Sequence, residues 1–209
     1  MGTKELLAEQ LLKIKAIKLQ PNDPFTWASG WHSPFYCDNR KTLSYPFIRT
    51  LVKNAMVSEI LTNFTEVEAI VGVATGGVPQ GALIADEMGL PFGYVRSKAK
   101  DHGMGNLIEG DLKKGAKVVV CEDLVSTGGS SLKAVEALRS EGYDVIGMVA
   151  SYTYQFDVAS EAFKNANVKL ITVTDYDHVV KQALATGYIK EADVETLHAW
   201  RKDPSNWDK

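Results

Sequence analysis

The stretch Val118 to Ser131, Val-Val-Val-Cys-Glu-Asp-Leu-Val-Ser-Thr-Gly-Gly-Ser-Ser, constrains the fold more than any other. Three β-branched residues, Val118 to Val120, show no polar alternation and therefore predict a strand buried on both faces, as in a parallel sheet. Two carboxylates, Glu122 and Asp123, follow where that strand is expected to emerge. A small-residue loop, Ser126-Thr127-Gly128-Gly129-Ser130, then runs into a helical pattern carried by Leu132, Val135 and Leu138. A loop that opens a helix presents unpaired N–H groups and the positive end of the helix dipole, which suits an anion. Gly128 and Gly129 let the backbone approach that anion closely, with Thr127, Ser130 and Ser131 as further hydroxyl donors. The acids would repel a phosphate, so they are expected to accept hydrogen bonds from sugar hydroxyls or to act through a divalent metal. A phosphorylated sugar bound with Mg²⁺ satisfies both demands. The loop lacks the Gly-Lys-Ser/Thr of a P-loop and the glycine spacing of a dinucleotide fingerprint.

At these residues the chain resembles the phosphoribosyl-pyrophosphate (PRPP) signature of the type I phosphoribosyltransferases. Glu122-Asp123 match its acidic pair and Ser126 to Ser130 its phosphate loop. With Leu124 and Val125 between them, these residues form the expected PRPP site.

The whole chain sets the bounds. Its 209 residues suffice for one domain with a substantial core. A net charge of −3 argues against a general nucleic-acid surface. No apolar run approaches the roughly 20 residues needed to span a bilayer, and no signal-peptide core is evident, so a cytoplasmic protein is expected. Two distant cysteines, Cys37 and Cys121, suggest neither a disulfide framework nor a metal site.

Residues 3–19 carry a helical pattern (Leu6, Leu7, Leu11, Leu12, Ile14, Ile17) that Pro21 and Pro24 are expected to end. Residues 25–40 read as a hairpin turning at Ser29-Gly30, with Phe25, Trp27, Trp31, Phe35 and Tyr36 along it. Pro46 opens a helix to about Asn63, and 69–73 is a second buried strand. The loop that follows, with Thr75, Gly76 and Gly77, opens another helix and offers amides to a second anionic group. After a strand at 91–95, residues 96–110 hold Arg96, Lys98, Lys100 and His102 among three glycines. Such a segment has little to bury and is expected to be mobile. Further strands are expected at 145–149 and 168–172, helices at 157–165, 176–186 and 191–200, and a loosely held tail from Asp203. Alternating strands and helices give an α/β fold with a central parallel sheet of about five strands, its site at their carboxyl ends. Residues 1–45 are expected to form a small N-terminal hood, 46–175 the core and 176–209 C-terminal helices, all within one domain.

The aromatic hairpin and the run Arg-Ser-Lys-Ala-Lys-Asp-His-Gly resemble the N-terminal ribbon and catalytic loop of orotate phosphoribosyltransferases. That resemblance spans nearly the whole chain. It implies Mg²⁺-dependent transfer of phosphoribose from PRPP to orotate, with Mg²⁺ carried by PRPP rather than by a protein cage. It implies that Glu122 and Asp123 hold the ribose, Thr127 to Ser130 the 5′-phosphate, and Thr75 to Gly77 the pyrophosphate. Arg96, Lys98, Lys100 and His102 would close on the pyrophosphate, and Ser126 would touch orotate. It further implies a homodimer with sites shared across the interface. Three positions depart from the family pattern: Ala28 and Gly76 stand where many members have lysine, and 151–155 lacks an arginine facing the orotate carboxylate. Hairpin amides are then left to hold that group. Two rivals share the fold, a purine phosphoribosyltransferase and a PRPP-sensing transcriptional regulator. The hairpin and the His-Gly loop argue against the first, and the absence of a helix-turn-helix before the sheet against the second.

Overall fold

The computed structural model of the chain describes residues 2–26, 30, 32–97 and 107–207. Its central sheet contains β5 (Ala69–Val73), β6 (Phe92–Val95), β7 (Ile108–Glu109), β8 (Lys117–Val125), β9 (Asp144–Thr153) and β10 (Leu170–Asp175). They lie in the order β10-β9-β8-β5-β6-β7. Five of them are parallel, as expected from the sequence. The sixth, β7, runs antiparallel to β6 along the edge, so the sheet is mixed. From β5 the chain moves outward in one direction to β6 and in the other to β8. The crevice outside the carboxyl ends of β5 and β8 is therefore the topological switch point, where α/β sheets hold their ligands.

Helices α2 (Pro46–Asn63), α3 (Gly77–Met88), α4 (Gly129–Ser140), α5 (Asp157–Asn165), α6 (Tyr176–Ala185) and α7 (Glu191–Lys202) complete the core with α1 (Thr3–Lys13). Successive strand residues feed opposite faces. Ile70, Val119 and Val149 join the side packed by α1, α2, α3, α6 and α7. Val71, Val120 and Met148 join the side packed by α4 and α5. This double burial explains why the strands read as apolar runs rather than as alternations. Among the described residues no helix is long and apolar enough to cross a membrane.

The N-terminal helix is shorter than its apolar pattern predicts. It stops at Lys13 in a Schellman-type cap: Ala16 N–H donates to Leu11 O (2.9 Å) and Lys15 N–H to Leu12 O (3.0 Å). Lys15 takes the left-handed conformation at φ 56° in place of the usual glycine, so no glycine marks the stop in the sequence. Beyond it, β1 (Ile17–Leu19) pairs antiparallel with β4 (Phe35–Cys37). Between these strands β2 (Phe25–Thr26) pairs with β3 (His32–Ser33), forming the expected hairpin, with Gly30 at φ 83°. Residues 27–29 and 31 lie outside the described residues. A 3-10 turn (Asn39–Ser44) leads into α2.

Two further boundaries are corrected. The last strand starts at Leu170 and runs to Asp175, and β9 continues through Thr153, so residues 151–153 are sheet rather than a following loop. Both strands lengthen because they pair with each other out to Asp175↔Thr153. The described part of the tail, residues 203–207, is also held, not loose. Asp203 accepts from Ser205 Oγ and Asn206 Nδ2 (3.1 Å each) and from Trp207 N–H (3.1 Å), and Trp207 packs against the core.

Phe35 joins the N-terminal layer to the sheet. It is fully buried and meets the rings of Tyr152, Tyr154, Tyr176 and Trp200 at centroid distances of 5.9, 5.2, 5.1 and 6.0 Å. Phe35→Ala is expected to cost about 3–5 kcal/mol through lost burial and a cavity that four large rings cannot collapse into. Urea unfolding checks this; a loss under about 1 kcal/mol would show that the layer does not depend on this contact.

Candidate functional site

β8 is longer than its neighbour on one side, and that inequality builds the site. Its pairing with β5 stops at Gly72 opposite Cys121, whereas pairing with β9 continues to Val125 opposite Thr153. Glu122 and Asp123 thus lie inside the strand, not beyond its end as the sequence suggested. Peptide groups alternate sides along a strand. Lys117 turns its carbonyl toward the β5 edge, accepting from Glu68 N–H at 2.8 Å, and by that alternation Asp123 faces the same edge after β5 has ended. Two side chains complete its hydrogen bonding there. Asp123 N–H donates to Glu122 Oε1 (3.1 Å), and Asp123 O accepts from Asn39 Nδ2 (2.7 Å).

The space vacated by β5 is taken by the loop 74–76 and the start of α3. A Cβ on Gly77 would lie 2.3 Å from Cys121 O, and one on Gly76 2.1 Å from the Asp123 carboxyl. The absence of side chains therefore lets this loop pack directly on the acid strand. Ala74 N–H donates to Val95 O (2.9 Å), tying the loop to the end of β6. Arg96, the next residue, is held at the base of the β6–β7 hairpin. Its N–H donates to Leu107 O (2.8 Å) and its guanidinium pairs with Glu109 (3.3 Å). Lys98, Lys100 and His102 lie outside the described residues.

The two carboxylates occupy unlike surroundings. Glu122 is buried and accepts from Ser131 Oγ (3.0 Å) in the first turn of α4. Burial, then the neighbouring Asp123 charge, pushes its pKa up to about 9. Burial also raises the Asp123 carboxyl, opposed by its contact with Glu122 and by the Arg40 guanidinium. Asp123 is only partly buried and faces the crevice loop. The pair therefore favours one negative charge, and Asp123 is the more open carrier. Among the described residues no group of three or more His, Cys, Asp and Glu is placed to hold a metal ion.

Beyond β8 the loop 126–130 turns through Gly128, at φ 82°, into α4. Thr127, Gly129 and Ser130 are exposed, so the first-turn amides of α4 open to solvent as an anion nest. Ser131 differs from expectation: its hydroxyl is buried and committed to Glu122, so it does not join the nest. Val125 is equally withdrawn. Its side chain is fully buried and its carbonyl accepts from Tyr154 N–H (3.2 Å).

Next to the nest lies a cavity of about 480 Å³ lined by Phe25, Thr26, Tyr36, Cys37, Leu124, Ser126 and Tyr154. Its walls are mostly apolar, and among the described residues no Lys or Arg lines it. Lys18 is near its rim, with its ammonium 6.0 Å from the Tyr36 ring centroid. Ser126 belongs to both the cavity and the loop. The structure thus gathers Asp123, Ser126 to Ser130, Leu124 and the 75–77 loop around one crevice. Phe25 and Tyr36 carried an aromatic signal in the sequence. Asn39, in the polar run Cys-Asp-Asn-Arg, carried none.

The chain as a whole is similar to known phosphoribosyltransferases. The family described as "Phosphoribosyl transferase domain" matches residues 47–185. An orotate phosphoribosyltransferase of Bacteroides thetaiotaomicron is 68% identical over 203 residues, covering 97% of this chain and 96% of its own. One from Listeria innocua is 51% identical over 209 residues, with both chains fully covered. The crystal structure of orotate phosphoribosyltransferase from Aeropyrum pernix superposes with a TM-score of 0.76 at 31% identity, over 88% of this chain and 99% of that one.

Two outcomes test the geometry. Gly128 has a left-handed backbone, and a Cβ there would meet the Phe163 ring at 2.9 Å; at Gly129 the nearest atom is Thr127 Oγ1 at 4.0 Å. Gly128→Ala should therefore weaken phosphate binding about tenfold or more, and Gly129→Ala by less, as read by calorimetric titration with inorganic phosphate and pyrophosphate. The reverse ranking would contradict the nest. The second outcome concerns Glu122. A carboxyl whose pKa rises on folding keeps its proton after the unfolded chain has lost its own. Its contribution to stability is full below the ordinary carboxylate range and is lost as pH rises toward about 9. Glu122→Gln cannot ionise, so its stability relative to wild type should improve steadily from about pH 5 to about pH 9 in thermal melts. A constant difference would refute the raised pKa.

Proposed function

Given that the chain belongs to the phosphoribosyltransferase family, among its orotate phosphoribosyltransferases, we propose a working arrangement for its site. The reaction joins the phosphoribosyl group of PRPP to N1 of orotate, giving orotidine 5′-monophosphate and pyrophosphate. We place it in the cytoplasm, in pyrimidine biosynthesis, as a Mg²⁺-dependent homodimer. Residues 1–209 act as one catalytic unit, with 1–45 covering the site.

The observation that carries this reading is the shared position of Ser126. A mostly apolar cavity, sized for a small ring, and an anion nest meet at one residue, within reach of the crevice that holds Asp123. A ribose 5-phosphate fits between them: 5′-phosphate on the amides and hydroxyls of Thr127 to Ser130, ring hydroxyls on Asp123 with Glu122 behind it, and C1 toward the cavity. Orotate stacks between Phe25, Tyr36 and Tyr154 and touches Ser126. With no Lys or Arg in the cavity wall among the described residues, hairpin amides are assigned to its carboxylate.

Pyrophosphate leaves as an oxocarbenium-like centre develops at C1. The chain's task is electrostatic and positional. Asp123 supplies negative charge near the developing cation. Amides of the 75–77 loop hold the departing pyrophosphate, because Gly76 and Gly77 leave no side chain between backbone and ligand. Arg96, Lys98, Lys100 and His102 gather its charge and shut out water, Arg96 exchanging Glu109 for pyrophosphate as it does so. Mg²⁺ carried by PRPP would neutralise part of the polyphosphate charge, and Asp123 is the carboxylate that could help hold it. The Glu122 carboxylate is already occupied by Ser131, which leaves Asp123 as the open acid of the pair.

Pyrophosphate release from PRPP and orotate, with and without Mg²⁺, tests the metal requirement; equal rates after chelation would reject it. Subunit mixing tests the shared site. Asp123→Asn and Lys100→Ala should each cost about 100-fold or more in kcat as homodimers. If the loop of one chain serves the other's site, a mixed dimer contains one intact site and one doubly defective site. Random re-pairing should then restore about one quarter of wild-type activity. No recovery after proven exchange would assign both residues to the same subunit's site.

A further inference from the structure

Asp123 is held in extended form along an edge where its strand has no neighbour. A strand residue in that position ordinarily leaves its N–H and C=O to water, and its side chain is free to swing with the backbone. Here both groups are taken by side chains, and the partner of the carbonyl comes from a distant part of the sequence. Asn39 is 4% exposed, and its Nδ2 donates to Asp123 O at 2.7 Å. The amide is fixed from its other end as well. Cys37 Sγ–H donates to Asn39 Oδ1 (3.4 Å), which leaves Nδ2 as the group facing Asp123. Thr42 Oγ1 donates to Asn39 O (2.7 Å), and Gln80 Nε2 of α3 donates to Thr42 Oγ1 (3.5 Å). Asn39 is thus anchored through the 3-10 turn to the helix that follows the 75–77 loop. Cys37 at the same time lines the cavity beside Ser126.

We propose that Asn39 is a positioning residue for the reaction: by donating to Asp123 O it replaces the missing strand neighbour and fixes the angle at which the Asp123 carboxylate meets the ribose. The inference rests on the reading of Asp123 as the ribose acid. It adds a link from the cavity wall, through Cys37 and Asn39, to the charge that faces the developing cation. Because the phosphate nest lies beyond this link, loss of Asn39 affects turnover more than PRPP affinity.

The test measures kcat and KM for PRPP with Mg²⁺ and orotate in four proteins: wild type, Asn39→Leu, Asp123→Asn and the double variant. Asn39→Leu is expected to lower kcat about tenfold and to change KM for PRPP by less than about threefold. In its background Asp123→Asn should cost several-fold less in kcat than in wild type, since the carboxylate is already misplaced. A folded Asn39→Leu protein with kcat within about twofold of wild type, or losses that simply multiply, overturns the proposal. Asn39→Asp serves as a near-isosteric second variant, and it carries the test alone if circular dichroism shows Asn39→Leu unfolded. When protonated, the introduced carboxyl can donate to Asp123 O; when ionised, it cannot. Its kcat relative to wild type should therefore fall as pH rises. A flat ratio overturns the proposal. Near-normal turnover by Asp123→Asn itself would reject the ribose-acid reading and this inference with it. An impaired Asp123→Asn beside unimpaired Asn39 variants rejects the inference alone.

Discussion

The site depends on one unequal pair of strands. β8 outruns β5, and the sheet cannot end raggedly in its own interior without exposing backbone N–H and C=O groups to a nonpolar setting. What fills the gap is the candidate site. A glycine loop packs on Cys121 and Asp123, Glu122 folds back onto the next peptide N–H, and Asn39 crosses from the N-terminal layer to the carbonyl. Each group that satisfies the strand edge also shapes the crevice. The switch in chain direction between β5 and β8 determines that this happens at the sheet's centre.

The same strand separates two chemically similar acids. Adjacent residues on a strand point to opposite faces, so Glu122 enters the interior toward Ser131 while Asp123 meets the crevice loop. Burial makes a second charge costly beside the first, and the pair settles near a single negative charge. In the proposed arrangement that economy of charge serves a site that binds a polyanion beside a developing cation: two full negative charges would repel the phosphates, whereas a single carboxylate would face the cation.

The N-terminal layer is integrated with the core rather than simply laid over it. α1 packs against α6 and β10 through fully buried Leu7 and Leu11. Phe35 sits among rings from β9, α6 and α7. The same β1–β4 ribbon carries Tyr36 and Cys37 into the cavity wall, so the wall rests on a packed aromatic cluster. That is the physical basis for strands of two and three residues holding a defined surface, since ribbons so short have little stability of their own.

By itself the sequence determined the α/β class, the five parallel strands, the small-residue loop that opens a helix and the acidic pair. These follow from local signals: unbroken β-branched runs, small residues at a helix start and charged residues at a strand's carboxyl end. It also marked Phe25, Tyr36 and Ser126, through aromatic patterning and position. Only the tertiary structure decided how far each strand runs, because strand length is set by the neighbour it pairs with, as with β9 and β10 or β8 beyond β5. It decided that Ser131 serves Glu122 rather than an anion, and that Lys15 ends the first helix without a glycine. Asn39 is the clearest case. Its partner is 84 residues away in sequence, and a hydrogen bond across that separation leaves no periodicity, composition or motif by which to read it.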